Sequence, residues 1–142
     1  TKLSPNVADI ASFAEAAKRG GAAAVTAINT VKAMAIQPEF RLPVLKNTYG
    51  GLSGPAIKPI GLRCVWEIHE KVRIPIVGVG GIETGRDAVE YLMAGASAVQ
   101  IGTALTSRGL GVFADVCREM SEFMDAHGYA KVSDLVGAAH GR

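Results

Sequence analysis

Short apolar runs alternate with longer segments of helical periodicity along this chain. The runs at residues 23–28, 74–79 and 97–101 contain no charged residue. Continuous runs of this kind are typical of parallel strands that are covered on both faces. Residues 1–6, "TKLSPN", look like the last residues of a further strand. The pattern therefore predicts four parallel strands.

Amphipathic segments between and after these strands are predicted to be helices. The first ends at Gly20-Gly21, and the third begins near Thr84, a typical N-cap residue. The second has Pro55 in its first turn, although Pro59 implies a kink or a later start. The apolar faces consist of Val7, Ile10, Ala11, Ala14 and Ala17 in the first helix, Ile57, Ile60, Gly61, Cys64, Val65 and Ile68 in the second, and Val112, Phe113, Val116, Met120, Phe123 and Met124 in the fourth.

Strands that alternate with helices indicate βα units, and with the initial strand the chain holds about four of them. Four units are half of a (β/α)8 TIM barrel. We therefore predict an α/β fold in which residues 1–142 form a single partial domain, the C-terminal half of such a barrel, with the N-terminal half absent. A four-stranded open sheet is the structural alternative. A last helical turn is predicted at residues 133–138.

The connection at residues 28–54 is long and has no helical period. Loops of more than about 12–15 residues are usually functional or disordered. Two apolar patches, "AMAI" and "PVL", flank the polar stretch "QPEFR" within it. We predict a β-hairpin excursion over the C-terminal face of the sheet, where the active sites of α/β proteins lie.

The composition is that of a globular protein, since 49% of the residues are apolar and 20% are charged. The net charge of +2 is small and the basic residues are scattered, which argues against nucleic acid as a partner. No apolar run reaches the roughly 20 residues of a membrane span, and no secretory leader is evident. Cys64 and Cys117 match no metal-binding spacing, so we expect no metal and interpret both as core residues in a reducing, cytoplasmic setting. We interpret Lys32 and Lys58 as solvated, and His69, His127 and His140 as surface or packing residues.

Glycines mark the ends of two predicted strands. Gly78, Gly80 and Gly81 stand close together, and Gly102 precedes Thr103 one unit later. Glycine lets a backbone approach a ligand closely, its N–H group points at anionic oxygens, and helix N-termini add partial positive charge. The loops after the last two strands of a (β/α)8 barrel commonly hold a phosphate. The pattern therefore predicts a phosphate site, in which the Thr103 hydroxyl is a further donor.

Longer motifs resemble a known family. "KLSPNV" at residues 2–7, "INT" at 28–30, "NTYGGLSGPAIKP" at 47–59, and "IPIVGVGGI" with "GASAVQIGTAL" occur in this order. Together they resemble the class 1 dihydroorotate dehydrogenases, which are FMN-containing flavoproteins, over nearly the whole chain. "GGLSGPAIKP" and "NT" resemble the 1B subtype, which works with an iron–sulfur, FAD-containing partner subunit and ultimately NAD. "GGIETGRDA" and "QIGTAL" are equally typical of the fumarate-using subtype.

The resemblance implies roles for particular residues. Lys2 is expected beside the N1–C2=O edge of the flavin, where a cation stabilises negative charge. Asn29 and Thr30 offer amide and hydroxyl groups to the pyrimidine substrate. The implied FMN-binding residues are Lys2, Ile28, Gly54, Gly80, Gly81, Gly102 and Thr103, and the implied substrate-binding residues are Asn29 and Thr30.

The implied reaction is the oxidation of dihydroorotate to orotate in pyrimidine biosynthesis, by an intact enzyme that is a homodimer or heterotetramer. The catalytic base of this class is a cysteine on a loop before "KLSPN", so we expect no catalytic residue here and no activity of the chain alone. A dihydropyrimidine dehydrogenase-like flavoprotein is the close alternative, because its flavin domain shares similar motifs. Two others are a non-catalytic half-barrel and an unrelated phosphate-binding half-barrel.

Overall fold

The computed structural model describes residues 1–141. Helices and strands alternate along the chain much as the apolar pattern predicts. In chain order they are β1 (Lys2–Leu3), α1 (Ile10–Arg19), β2 (Val25–Ala27), β3 (Val31–Ala33), β4 (Ile36–Gln37), β5 (Leu42–Pro43), β6 (Gly50–Leu52), α2 (Lys58–Lys71), β7 (Ile76–Val79), α3 (Gly85–Met93), β8 (Ala98–Gln100), α4 (Ala104–Arg108) and α5 (Val112–His127).

A parallel sheet with the strand order β1-β2-β7-β8 lies at the centre of the fold. In its register Lys2 lies opposite Thr26, Thr26 opposite Val77, and Val77 opposite Ala98. The prediction of an α/β fold with four parallel strands is confirmed. The strands are shorter than the apolar runs, because an apolar side chain reports burial, whereas a strand also requires a hydrogen-bonded neighbour.

The segment between β2 and α2 is a β-hairpin in two parts, as predicted. Strand β3 pairs antiparallel with β6, and β4 pairs antiparallel with β5. This hairpin extends away from the core, so that many of its large apolar side chains are exposed. These side chains are Met34, Ile36, Phe40, Leu42, Val44, Leu45, Tyr49 and Leu52.

The main core lies between the sheet and its helices. Helix α1 packs on α2, and α3 packs on α5. Cys64 is completely buried in this core, as predicted. The same prediction is wrong for Cys117, whose side chain is exposed. The reason is that Val116 is the residue that α5 turns toward the core, and Cys117 follows it about 100° further round the helix.

Helix boundaries differ from the predicted ones at three places. Helix α2 begins at Lys58 after a 3₁₀ turn at Pro55–Ile57, so Pro59 lies in its first turn, where a missing N–H group is tolerated. Helix α4 was not predicted, because five residues are too few to produce a periodic apolar pattern. The turn expected at residues 133–138 is replaced by two 3₁₀ turns, Val132–Asp134 and Ala138–His140.

Strands β1 and β8 form the two edges of the sheet. On β8 the side chains of Ala98 and Gln100 are exposed. Parallel sheets are normally covered on both faces. Within residues 1–141, part of this sheet therefore remains open to solvent.

Candidate functional site

One cavity lies where the parallel strands end. It encloses about 530 Å³ of space, part of which is open to solvent. All nine residues that the motifs single out line it. These are Lys2, Ile28, Asn29, Thr30, Gly54, Gly80, Gly81, Gly102 and Thr103, and sequence reasoning missed Ser53, Ile57, Val79, Ile82, Gln100 and Ala104.

The segment after β2 is held by both neighbouring strands. The backbone N–H of Ile28 donates to the carbonyl of Val79 at 2.9 Å, and that of Asn29 donates to the carbonyl of Leu3 at 2.8 Å. Ile28 is buried, whereas Asn29 is exposed. The Asn29 Oδ1 atom accepts the backbone N–H of Thr30 at 2.8 Å, which leaves the Nδ2 group of Asn29 to donate to a ligand.

Asn6 supports this segment from the loop after β1. Its Nδ2 donates to the Thr30 carbonyl at 3.0 Å, and its Oδ1 accepts the backbone N–H of Lys32 at 2.8 Å. A Cβ atom at Gly51 would lie 2.1 Å from the Thr30 Oγ1 atom, so glycine is required there to admit Thr30. Asn6 belongs to the "KLSPNV" motif and Gly51 to "NTYGGLSG", but only the folded chain connects both of them to Thr30.

Three of the cavity glycines have backbone reasons for being glycine. Gly54, Gly80 and Gly81 have φ values of +86°, +137° and +71°, a region that other residues seldom adopt. A Cβ atom at Gly81 would also lie 2.8 Å from the Gly54 carbonyl oxygen and 3.0 Å from the backbone nitrogen of Lys58. The backbone conformation of all three residues, with tight packing at Gly81, therefore accounts for glycine before any ligand is considered.

Gly102 is different, because nothing in the chain requires it. A Cβ atom there would meet no atom within 4 Å, and its φ is outside the positive region. Gly102 lines the cavity, and it also lines a neighbouring opening beside α5. Of the cavity glycines, Gly102 is therefore the one whose open space is best explained by close approach of a ligand.

Gly78 does not contribute to the phosphate site that the sequence predicted. A Cβ atom at this position would lie 2.6 Å from Cδ1 of Tyr91 and 3.1 Å from Cβ of Ala96. Gly78 is therefore needed for the packing of a buried aromatic ring. No local pattern indicates this packing, because Tyr91 lies on α3, 13 residues further along the chain.

The rim of the cavity has the chemistry of an anion site. No acceptor within residues 1–141 receives the backbone N–H of Gly81, Gly102 or Thr103. Among the described residues, the lining includes Lys2 and no carboxylate. Partial burial lowers the pKa of Lys2 below its ordinary value. Free N–H donors and one ammonium group suit a phosphate or a carboxylate.

The helix N-termini contribute less to this site than the sequence suggested. Helix α3 begins only at Gly85, whose N–H donates to Oε2 of Glu119 at 2.6 Å. The first turn of the helix is closed by a capping box between Thr84 and Asp87. Helix α4 follows Thr103 directly but has only five residues. Because a short helix has a small dipole, the N–H groups of the loops are the main donors.

Lys58 is not the solvated lysine that the sequence suggested. Its Nζ lies 2.6 Å from Oδ1 of Asp87 and 2.9 Å from Oε2 of Glu90. The hydrogen bond with Asp87 raises the pKa of Lys58. Burial alone would raise the pKa of Asp87, but hydrogen bonds from Lys58 and from the backbone of Glu83 and Thr84 outweigh it and lower that pKa. The sequence separation of these residues concealed the contact.

The histidines lie away from the cavity and pack against rings, as predicted. The ring of His140 stacks on Trp66 with 3.6 Å between centroids, and that of His127 stacks on Phe123 at 4.0 Å. Within residues 1–141, no group of three or more His, Cys, Asp or Glu side chains is arranged to hold a metal ion. None of the helices in that range combines the length and apolar character needed to cross a membrane.

Sequence comparison identifies the family to which these motifs belong. The model of the family described as dihydroorotate dehydrogenase matches residues 1–124. The chain therefore belongs to the dihydroorotate dehydrogenase family. This match favours the family over an unrelated phosphate-binding barrel.

Individual relatives narrow the comparison. The chain is 56% identical over 138 residues to the dihydroorotate dehydrogenase B (NAD(+)) catalytic subunit of Thermoplasma acidophilum, covering 97% of this chain and 45% of that protein. It is 49% identical to the protein of the same name from Pyrococcus abyssi, covering 97% and 46%. The corresponding protein of Methanothermobacter thermautotrophicus is 48% identical, with coverage of 99% and 46%. The chain thus spans a little less than half the length of these relatives.

Proposed function

We propose that this chain is the C-terminal half of the FMN-binding barrel of a dihydroorotate dehydrogenase, which oxidises (S)-dihydroorotate to orotate in pyrimidine biosynthesis. The observation that carries the proposal is the convergence of nine motif residues on one cavity at the strand ends. They come from five segments that are far apart in the chain. In an unrelated fold these residues would not be expected to lie around one cavity.

The cavity suits FMN at both of its ends. Its rim offers the free N–H groups of Gly81, Gly102 and Thr103 to a phosphate, and no carboxylate among the described residues opposes the charge. Its wall includes the apolar side chains of Ile28 and Ile57, which suit the face of a flat ring. When bound, FMN would supply the acceptor for the hydride that leaves the substrate.

The residues of this chain bind and orient rather than react. In the proposed arrangement Lys2 supplies a positive charge at the flavin, and Gly54 allows close approach to it. Asn29 and Thr30 hold the pyrimidine ring by hydrogen bonds. Neither Cys64 nor Cys117 lines the cavity, so neither fits the role of the catalytic base. We place that base, a cysteine, in the first half of the barrel.

The barrel assignment rests on the sheet and on length. Four parallel strands with two free edges, β1 and β8, are what half of a (β/α)8 barrel would present. The relatives named above are about twice as long as this chain. We therefore propose that residues 1–142 are one partial domain, and that the other half of the barrel covers the open face of the sheet.

A partner subunit is part of the proposal. The relatives are named as catalytic subunits of an NAD(+)-linked enzyme, a name that implies another subunit. We propose that electrons pass to a partner that carries FAD and an iron–sulfur cluster, and that the intact enzyme is a homodimer or heterotetramer.

Flavin retention in the complete subunit, that is, this chain together with the first half of the barrel, tests the proposal. Gly102→Val should place its side chain in the open space beside the loop and so release FMN. The fold itself should tolerate the valine, because a Cβ atom at this position meets no described atom within 4 Å. Gly111→Val is the matched control, since Gly111 is equally open but lies outside the cavity. Thr103→Val should weaken binding only by about 1 kcal/mol, the value of one hydrogen bond.

Flavin absorbance after gel filtration is the readout. Stoichiometric FMN in the Gly102→Val protein would refute the phosphate assignment. Gly81→Val is a poorer probe, because the positive φ and the nearby Gly54 carbonyl would disturb the fold regardless of FMN. Turnover of dihydroorotate, compared with dihydrouracil, distinguishes the proposed enzyme from a dihydropyrimidine dehydrogenase-like one. A complete subunit that binds FMN and oxidises neither would be a non-catalytic protein.

A further inference from the structure

A chain of contacts connects helix α2 to the loop that carries Gly80 and Gly81. Lys58, at the start of α2, contacts Oδ1 of Asp87 at 2.6 Å. The other oxygen of the same carboxylate, Oδ2, accepts the backbone N–H groups of Glu83 at 3.0 Å and Thr84 at 2.9 Å. Asp87 thus uses one oxygen for the lysine and the other for the loop at residues 80–84.

The backbone of the same lysine lies close to the loop. The position that a Cβ atom would take at Gly81 lies 3.0 Å from both the backbone nitrogen and the Cβ of Lys58. The loop is therefore held at two places. The backbone of Lys58 lies beside Gly81, and the Asp87 carboxylate accepts the N–H groups of Glu83 and Thr84. Both charged side chains are largely shielded from solvent, with exposed fractions of 25% for Lys58 and 14% for Asp87. Such a pair holds its geometry better than an exposed one.

Lys58 does not line the cavity, but Gly81 does. A backbone N–H group binds an anion well only when its direction is fixed before the ligand arrives. We propose that Lys58 is a positioning residue, which acts through Asp87 to fix the loop at residues 80–84 and thereby aims the Gly81 N–H at the phosphate of FMN. This inference rests on the proposed function and adds to it a residue that never touches the ligand.

The test compares two ligands that differ only in the phosphate. FMN and riboflavin are titrated into the apo form of the complete subunit, and quenching of flavin fluorescence gives both dissociation constants. Lys58→Met should weaken FMN by about tenfold, the loss expected for one misdirected charge-assisted hydrogen bond, and leave riboflavin within about twofold. Arg63→Met is the matched control on α2, because within residues 1–141 Arg63 pairs with Glu67 and Cys64 of the same helix and with nothing on the loop. It should change neither constant.

Each outcome has one meaning. Equal weakening of FMN and riboflavin by Lys58→Met would give Lys58 a purely structural role and overturn the inference. The inference would also be overturned if Lys58→Met kept the wild-type preference for FMN over riboflavin. Gly102→Val, which should abolish this preference, shows that the measurement can detect its loss. A wild-type protein that binds both ligands equally would instead refute the phosphate site itself, and the inference with it.

Asp87→Asn removes the other partner of the ion pair. It replaces Lys58→Met in the test if that variant does not fold. Asparagine keeps an oxygen for the backbone of Thr84 but removes the charge that holds Lys58. It should lower the preference for FMN over riboflavin in the same direction. Hydrogen exchange of the ligand-free complete subunit gives a further readout, since the amide of Glu83 should lose protection in both variants and keep it in Arg63→Met. Retained protection in Lys58→Met would contradict the proposed contact.

Discussion

The hydroxyl group of Tyr91 donates a hydrogen bond to the carbonyl oxygen of Gly80 across 2.8 Å. Tyr91 is completely buried on α3, and burial raises the pKa of its phenol. The bond therefore connects the core to the first residue of the loop that lines the cavity. Because the phenol stays protonated over the working pH range, this hydroxyl remains a donor.

Tyr91→Phe is expected to destabilise the protein by about 1–3 kcal/mol, because the Gly80 carbonyl would lose a donor at a site that water does not easily reach. Urea unfolding of the complete subunit, monitored by circular dichroism, gives the change in the free energy of unfolding. Tyr49→Phe is the matched control, since Tyr49 is 53% exposed and its change should stay within about 0.5 kcal/mol. Equal effects of the two substitutions would contradict the role of the Tyr91 hydroxyl.

Gly78→Ala should be destabilising even though it adds only one methyl group. The new Cβ atom would lie 2.6 Å from Cδ1 of Tyr91, and overpacking of this kind typically costs about 1–3 kcal/mol. Gly111→Ala, which meets nothing within 4 Å, should be nearly neutral. The same unfolding measurement applies. In a Tyr91→Leu background the cost of Gly78→Ala should shrink, and strictly additive costs would argue against this steric explanation.

The ion pair of Lys58 and Asp87 makes a pH-dependent contribution to stability. The folded-state pKa of Asp87 is lowered below its ordinary 3.8, so its contribution is complete above that pH and disappears as pH falls through the lowered pKa. The pKa of Lys58 is raised above 10.5, so its contribution persists below that pH and disappears as pH rises through the raised pKa.

Asp87→Asn tests the contribution of Asp87 to the dependence of stability on pH. At pH 7 it should cost about 1–3 kcal/mol, as for hydrogen bonds to a charged group, and the difference from wild type should narrow as the pH falls below 3.8. Asp125→Asn, at an exposed position of α5, is the control and should show little difference at any pH. A difference that is constant from pH 7 to pH 2 would show that the Asp87 charge is not responsible.

Lys2 and Asn29 should prove to have separate functions in the complete subunit. Lys2→Ala is expected to slow flavin reduction or to release flavin, because it removes the ammonium group from the cavity. Asn29→Ala should retain FMN and weaken orotate binding by about tenfold, since its free Nδ2 donor is lost. Stopped-flow absorbance and orotate titration distinguish the two effects. If both variants lost the same property, the division of roles would be wrong.

The 142-residue chain alone is expected neither to oxidise dihydroorotate nor to behave as a stable monomer. Its sheet has two free edges, and eight large apolar side chains of the hairpin are exposed. Each such side chain left in water forgoes roughly 1.5–3 kcal/mol, against a total stability of only about 5–15 kcal/mol. Analytical ultracentrifugation, thermal melting and a dihydroorotate assay test this. A cooperative, monomeric and active chain would refute the half-barrel proposal.

The sequence by itself determined the order of the strands and helices and the residues around the cavity. Apolar runs located β2, β7 and β8, because a strand that is covered on both faces consists of consecutive apolar residues. The strand-end glycines located the cavity, because in parallel βα units the carboxyl ends of the strands meet at one edge. Motif resemblance then added Lys2, Asn29 and Thr30, which local chemistry alone would have left as ordinary polar residues.

Tertiary structure alone decided which atoms occupy the space around that cavity. Gly78 looked like part of a phosphate loop, yet the ring of Tyr91 from α3 fills the space beside it. Lys58 looked solvated, yet it pairs with Asp87, 29 residues further along the chain. The physical reason is the same in both cases. A local pattern indicates whether a residue is buried and which backbone conformation it prefers. Its neighbours across the core depend instead on how helices from other parts of the chain pack together.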